Sequence, residues 1–336
     1  MKRTVFSLLV LLSGALNAAE LPYDKPSPAD LSGNFRVSNE CNTNLYLNGI
    51  WEIAPTLKIQ ETMPADSEFY PVPVPSSWMF AADFPIASSR FKRGNWGGAC
   101  TYDGKNLQDF EGAWYRRDFI APEVKPGQEL LLAVDRVTIF GTVYLNGEKL
   151  GTCMERRPGV WNITDRVKPG VVNRLVIRVD AAITGEEKMF LGAEMTANVK
   201  QKATLRGITQ DVRLVIRSAG VRVDDLFMKT STRKQEITFE LRVANPQKIR
   251  GTVAAEFLIR PYEKSEVVKS FAAKLELSGE AVQSFRFTFP WKDARLWEPD
   301  APCLYQAEVL LKQDGKRVEH SLPRRFGFRE VWIDGR

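Results

Sequence analysis

The sequence predicts an all-β chain, a jelly-roll β-sandwich followed by an immunoglobulin-like β-sandwich. Apolar residues recur with period two in segment after segment, as half-buried strands require. Asn146-Gly147 in "TVYLNGEKLGT" and Asp314-Gly315 in "LLKQDGKRVEH" are tight-hairpin pairs, whose residues tolerate positive φ. After the N-terminal segment, no window carries a sustained 3.6-residue apolar stripe with caps, so helices are not expected.

The chain opens with Lys2 and Arg3, an apolar run from Val5 to Leu12 and small residues from Gly14 to Ala19. Residues 1–19 therefore read as a signal peptide, which predicts a periplasmic or secreted protein. The run is too short to span a bilayer, no later segment is long and apolar enough, and the first cysteine, Cys41, lies far beyond the cleavage region. No membrane anchor is expected. In an oxidising compartment Cys41, Cys100, Cys153 and Cys303 could pair in three ways that sequence does not separate, or remain small buried hydrophobes.

Residues 42–217 form the first predicted domain. Within it Val212, Leu214 and Ile216 share one face of "DVRLVIRS" against Arg213, Val215 and Arg217. Ser218-Ala219-Gly220 marks a boundary. Residues 220–329 form the second domain, with strand candidates starting near Val221, Glu236, Gly251, Phe271, Val282, Leu304 and Lys316. That number and spacing suit an immunoglobulin-like sandwich, although the Cys…Trp…Cys signature of antibody domains is absent.

Chemistry is sparse. His320 is the sole histidine, which removes Ser-His-Asp and Cys-His arrangements; its place after the Asp314-Gly315 hairpin predicts a solvated strand residue. Ser89-Arg90-Phe91-Lys92 matches S-x-x-K without the companion segments. Nucleotide-binding glycine motifs are missing and no metal spacing occurs, so no cofactor or metal is expected. The formal charge is +6, but lysines and arginines are interleaved with acids rather than clustered, which argues against a nucleic-acid partner. Asp109 with Glu111, and Asp224 with Asp225, are neighbouring acids in predicted turns, where solvation or local hydrogen bonding is the ordinary role. No catalytic residue is assigned.

The most unusual stretch is residues 79–112, "MFAADFPIASSRFKRGNWGGACTYDGKNLQDFEG". An insertion this long without evident secondary structure commonly carries function. Its Arg90, Lys92, Arg93, Asn95, Trp96 and Tyr102 suit a carbohydrate, with Arg93, Asn95, Trp96 and Tyr102 the candidate contacts, because aromatic faces stack on C–H surfaces while amides and guanidinium groups bond hydroxyls. The alternative is a loop that packs its own aromatics or covers a sheet edge.

Several segments in order carry a resemblance: Leu47-Asn48-Gly49-Ile50-Trp51, "VPVPSSW" to Trp78, "WYRRDF" from Trp114, "VYLNGEKLGT", "NITDRVKPGVVNRLVIRVD", "GITQDVRLV", "LWEPDAPCLYQAEVLL" and "RRFGFREVWID". Together they resemble the two N-terminal β-domains of glycoside hydrolase family 2, the β-galactosidases, β-glucuronidases and β-mannosidases. The resemblance implies a galactose-binding-like jelly roll, then the immunoglobulin-like domain, then a (β/α)₈ barrel whose two glutamates act as acid/base and nucleophile of a retaining mechanism.

On that resemblance residues 330–336 read as the truncated start of a linker to a missing barrel, and no glutamate here matches a barrel motif. Some members send a P-I-Y-x-N loop from the first domain toward the sugar site. Pro85-Ile86 fits that pattern, but Ala87, Ser88 and Ser89 do not, so the sugar stays open. The expected partners are a carbohydrate and a catalytic barrel domain or chain, or a second copy of this chain. A free-standing carbohydrate-binding protein and a structural scaffold are the competing readings.

Overall fold

The computed structural model describes residues 27–83, 89–93, 100–155, 157–181, 205–333 and 335. Among them the chain is all-β, with two hydrophobic cores that divide along the sequence: Leu31 to Ile216 in one, Val221 to Phe328 in the other.

The first core lies between two antiparallel sheets. One orders its strands Arg36–Ser38, Thr43–Tyr46, Val212–Ser218, Gln128–Val134 and Gly159–Asn162. The other runs Glu148–Met154, Phe140–Leu145, Val172–Asp180, Gly112–Ile120, Gly49–Thr56 and Tyr70–Val74. Neighbours in space are distant in sequence, the signature of a jelly-roll style of winding. Val212, Leu214 and Ile216 are all buried, as their alternation predicts. Asn146 (φ 52°) and Gly147 (φ 89°) turn the hairpin between Phe140–Leu145 and Glu148–Met154.

Gly112–Ile120 departs from simple alternation, because it is buried on both faces. Tyr115 and Phe119 enter the core while Trp114 and Arg116 face outward, under a chain segment that returns over the sheet. From that segment Phe69 lies 4.1 Å beneath the Arg116 guanidinium, which also pairs with Glu52 at 2.6 Å and with Asp66. Outward residues of "WYRRDF" are thereby buried by a neighbour that local pattern does not reveal.

The second core is sealed by Arg222–Ser231, Glu236–Ala244 and Val282–Pro290 on one side. On the other side lie Lys269–Ser278, Arg250–Pro261, Leu304–Gln313 and Lys316–His320, with Arg324–Gly327 pairing Leu304–Gln313 further along. The seven strand starts read from the sequence each fall within two residues of an observed strand. Arg324–Gly327 is additional; at four residues it is too short to show a period. Ile237, Phe239, Leu241 and Val243 all point inward. Phe239 stacks on Phe257 at 4.3 Å and Phe271 on Phe289 at 4.6 Å, forming an aromatic centre across the two sheets.

Phe257 is fully buried among Phe239, Phe287 and Phe289. Phe257→Ala is expected to lower stability by about 3–5 kcal/mol through lost burial and a residual cavity, measured by urea unfolding; a loss under about 1 kcal/mol would show that the ring cluster does not hold this core.

Candidate functional site

The insertion is built around a small antiparallel sheet, Phe91–Lys92, Thr101–Tyr102 and Lys105–Asn106, flanked by the 3-10 turns Trp78–Asp83 and Leu107–Asp109. Two-residue strands give no periodic signal, which is why the sequence shows only a loop here. Phe91 faces Tyr102 across the sheet with ring centroids 4.8 Å apart, and Phe110 meets Tyr102 edge-on at 5.6 Å. The insertion therefore packs its own aromatics.

Its attachment is polar. Arg206 is buried, and its Nη1 donates to the carbonyls of Phe110 at 2.7 Å, Gln108 at 3.0 Å and Leu107 at 3.3 Å. Burial holds its guanidinium below the ordinary arginine value, with Asp109 acting the other way. Its backbone N–H donates to Ser77 Oγ at 3.0 Å and its carbonyl accepts from the Trp78 N–H at 2.9 Å, so one residue holds both ends of the loop. Beside it Gly207 sits at φ +132°, where a Cβ would lie 2.7 Å from Tyr115 Oη and 2.8 Å from the Ser76 carbonyl. A lone arginine in "LRGITQ" carries no motif for this role.

Of the four residues predicted to contact carbohydrate, Arg93 and Tyr102 can be placed, while Asn95 and Trp96 lie outside the described residues. Arg93 is exposed and donates from Nε to Asp83 Oδ1 at 2.5 Å. Tyr102 is buried, its hydroxyl pushed up to about 12 by burial. The Arg90 guanidinium stands 4.8 Å above the Tyr102 ring and 5.0 Å from Tyr70, while bonding Asp103 through Nε at 2.5 Å and the Tyr70 hydroxyl. Arg93 directly follows the strand Phe91–Lys92 that pairs with Thr101–Tyr102, and of the two residues only the arginine is exposed. Arg90, also among the insertion's residues that suit a sugar, instead joins the insertion to Tyr70 on the jelly-roll.

The carboxylates carry structural partners. Glu111 meets Lys58 at 2.5 Å, Asp224 meets Arg242 at 2.5 Å and Asp225 meets Arg324 at 3.3 Å. Glu319 is raised above its ordinary value, pushed up by burial against the opposing effect of the Asn42 amide. Neighbouring His320 is not the solvated residue its strand position predicts, since Glu40 and Glu308 enclose its ring. All four cysteines are free thiols; burial pushes Cys153 up to about 12, which leaves it unreactive at neutral pH. No group of three or more His, Cys, Asp or Glu side chains arranged to hold a metal occurs among the described residues.

Comparison with known proteins gives concordant results. Residues 221–329 match the family model of glycosyl hydrolases family 2. A putative beta-glucuronidase of Formosa agariphila is 24% identical over 285 residues, 80% of this chain and 24% of that protein. A second from the same organism is 26% identical over 234 residues, 66% of this chain and 25% of that one. The chain thus spans about a quarter of the length of these curated relatives. Among solved structures, a Bifidobacterium dentium beta-glucuronidase superposes with a TM-score of 0.62 at 21% identity, covering 89% of this chain and 50% of that chain. A family 2 member from Bacteroides cellulosilyticus gives 0.63 at 18% identity, over 86% of this chain and 36% of that one. At such identities the structures establish the shared sandwich architecture.

If Arg206 pins the insertion, Arg206→Met, which keeps the bulk and removes the donors, should speed limited trypsin cleavage between Trp78 and Phe110 by about tenfold or more, since each 1.4 kcal/mol of lost closure is a factor of ten. Unchanged cleavage would assign the attachment to the aromatic contacts alone.

Proposed function

Because this chain belongs to glycoside hydrolase family 2, we propose that residues 27–333 are the non-catalytic β-sandwich portion of an exported glycosidase acting in carbohydrate metabolism. The parent reaction is hydrolysis of an O-glycosyl bond with retention, its two carboxylates lying about 5 Å apart in a barrel outside these residues. One observation carries the reading above all: the chain's paired sandwiches superpose on a Bifidobacterium dentium beta-glucuronidase along 89% of this chain and only 50% of that one.

The pairing of carboxylates supports it. A retaining site needs one carboxyl kept protonated for acid catalysis facing a second that is ionised. Asp118, Glu52, Glu129 and Asp135 instead neutralise Arg174, Arg116, Arg217 and Arg213 at 2.6–2.8 Å. Those pairs hold neighbouring strands together.

Two relatives named putative beta-glucuronidase make a β-glucuronide the first substrate class to assay. Export rests on Lys2, Arg3 and the run Val5 to Leu12. The insertion is proposed as the carbohydrate-facing edge, with exposed Arg93 supplying guanidinium donors and Asn95 and Trp96 completing the contact. Tyr102 supports that edge from beneath through its packing on Phe91 and Phe110.

The purified chain is expected to release no nitrophenol above background from a panel of nitrophenyl β-glycosides, the β-glucuronide included, while titration calorimetry with a uronic acid oligosaccharide shows weak binding lost in Trp96→Ala. Turnover by the chain alone would refute the non-catalytic assignment. Binding unchanged by Trp96→Ala would remove the insertion as the contact edge and leave the family assignment standing.

A further inference from the structure

We propose that the groove between the two sandwiches is a carbohydrate subsite of its own, which holds a neutral mono- or disaccharide between Glu319 and the outward arginines of Val212–Ser218. None of its lining residues belongs to the insertion, so the inference stands apart from the proposed contact edge at Arg93, Asn95 and Trp96. It does not depend on which glycoside the parent reaction cleaves.

The first sandwich supplies donors. Val212, Leu214 and Ile216 are buried, so Arg213, Val215 and Arg217 take the outer face of their strand, and Asn44 pairs with Val215 from the neighbouring one. Arg213 directs Nε and Nη2 at Asp135, at 3.2 and 2.7 Å, and Arg217 gives Nε to Glu129 at 2.6 Å. Among the described residues no hydrogen bond engages Nη1 of Arg213, either terminal nitrogen of Arg217 or the Asn44 amide. All three side chains line the groove and are partly exposed.

The second sandwich supplies an open acceptor. Glu319 is 1% exposed, and its Oε1 accepts from Asn42 Nδ2 at 2.7 Å. Its Oε2 has no partner. A buried carboxylate oxygen without a donor carries a desolvation cost that a hydroxyl reaching it would offset. The two other acids of the groove are committed, Asp224 to Arg242 at 2.5 Å and Asp225 to Arg324 at 3.3 Å. Burial raises the Glu319 carboxyl even though Asn42, Arg222, His320 and Arg217 act the other way, as befits a group short of one donor.

The groove's chemistry selects the ligand class. Its volume is about 360 Å³, at the low end of the range for small-molecule sites. Arg213, Arg217 and Arg324 in its lining are matched by Asp224, Asp225 and Glu319, so a strongly charged ligand of either sign meets like charges as well as opposite ones. A hydroxyl both donates and accepts. Adjacent hydroxyls of one sugar ring can therefore give a hydrogen to Glu319 Oε2 and take one from Arg217, which lies near enough for its charge to act on that carboxyl. Val215 and Val223, half-buried in the lining, offer apolar surface to the C–H face of the ring.

The test is a ligand-observed NMR titration of the full chain with cellobiose and with lactose. At least one is expected to bind with a Kd in the millimolar range, undiminished in Trp96→Ala. Asn44→Ala removes an amide that holds no other element and should weaken binding about three- to tenfold, the effect of one hydrogen bond. Glu319→Gln can still accept from Asn42 but turns an N–H toward the ligand's hydroxyl, and should weaken binding about tenfold or more. No saturation transfer to either disaccharide, or binding unchanged in Asn44→Ala, would overturn the subsite. Binding lost in Trp96→Ala and kept in Asn44→Ala would do the same and assign the sugar to the insertion. Should Glu319→Gln not fold, Asn44→Ala decides by itself, and turnover of nitrophenyl glycosides bears on neither outcome.

Discussion

The structure depends on the closing of paired antiparallel sheets over a shared apolar face. Gly112–Ile120 shows what this demands, for it pairs with Gly49–Thr56 on one side and Val172–Asp180 on the other while Tyr115 and Phe119 fill the space beneath. Trp51, fully buried opposite, satisfies its indole N–H with the Leu47 carbonyl at 2.7 Å. A one-residue slip would turn every such side chain outward, so register and core are one constraint.

Arginine manages what the sheets leave over. Arg116 covers the outer face, Arg206 holds the insertion, and Arg117, turned inward, bonds the Leu47 and Asn48 carbonyls while burial holds its guanidinium down near 10. A guanidinium's fan of donors can reach several carbonyls from one side chain, which suits the ends of strands where backbone acceptors lack partners. The charge census of the chain is in this sense architectural. It binds strands, loop and junction together.

The two sandwiches meet through a narrow polar seam, with Arg222 reaching Glu129 at 3.4 Å and the turn around Asn39 and Asn42 clasping the strand ahead of Ser321. Such a seam is directional and charge-dependent where an apolar interface would be neither.

Much of this was legible from residues alone. Period-two alternation placed Val212–Ser218 and Glu236–Ala244 because a strand's two faces meet different solvents, and Asn146-Gly147 declared its turn because few residues tolerate two successive positive φ values. What the sequence could not contain was long-range partnership. The small sheet inside the insertion, the burial of Arg206 and the inward aim of Tyr102 arise from contacts made by distant segments. His320 is the clearest case. Local pattern made it a solvated strand residue, and only the approach of Glu40, 280 residues earlier, turned it into a bridge. Alternation reports which side of a strand is dry; which distant group stands on that side is decided by the tertiary fold.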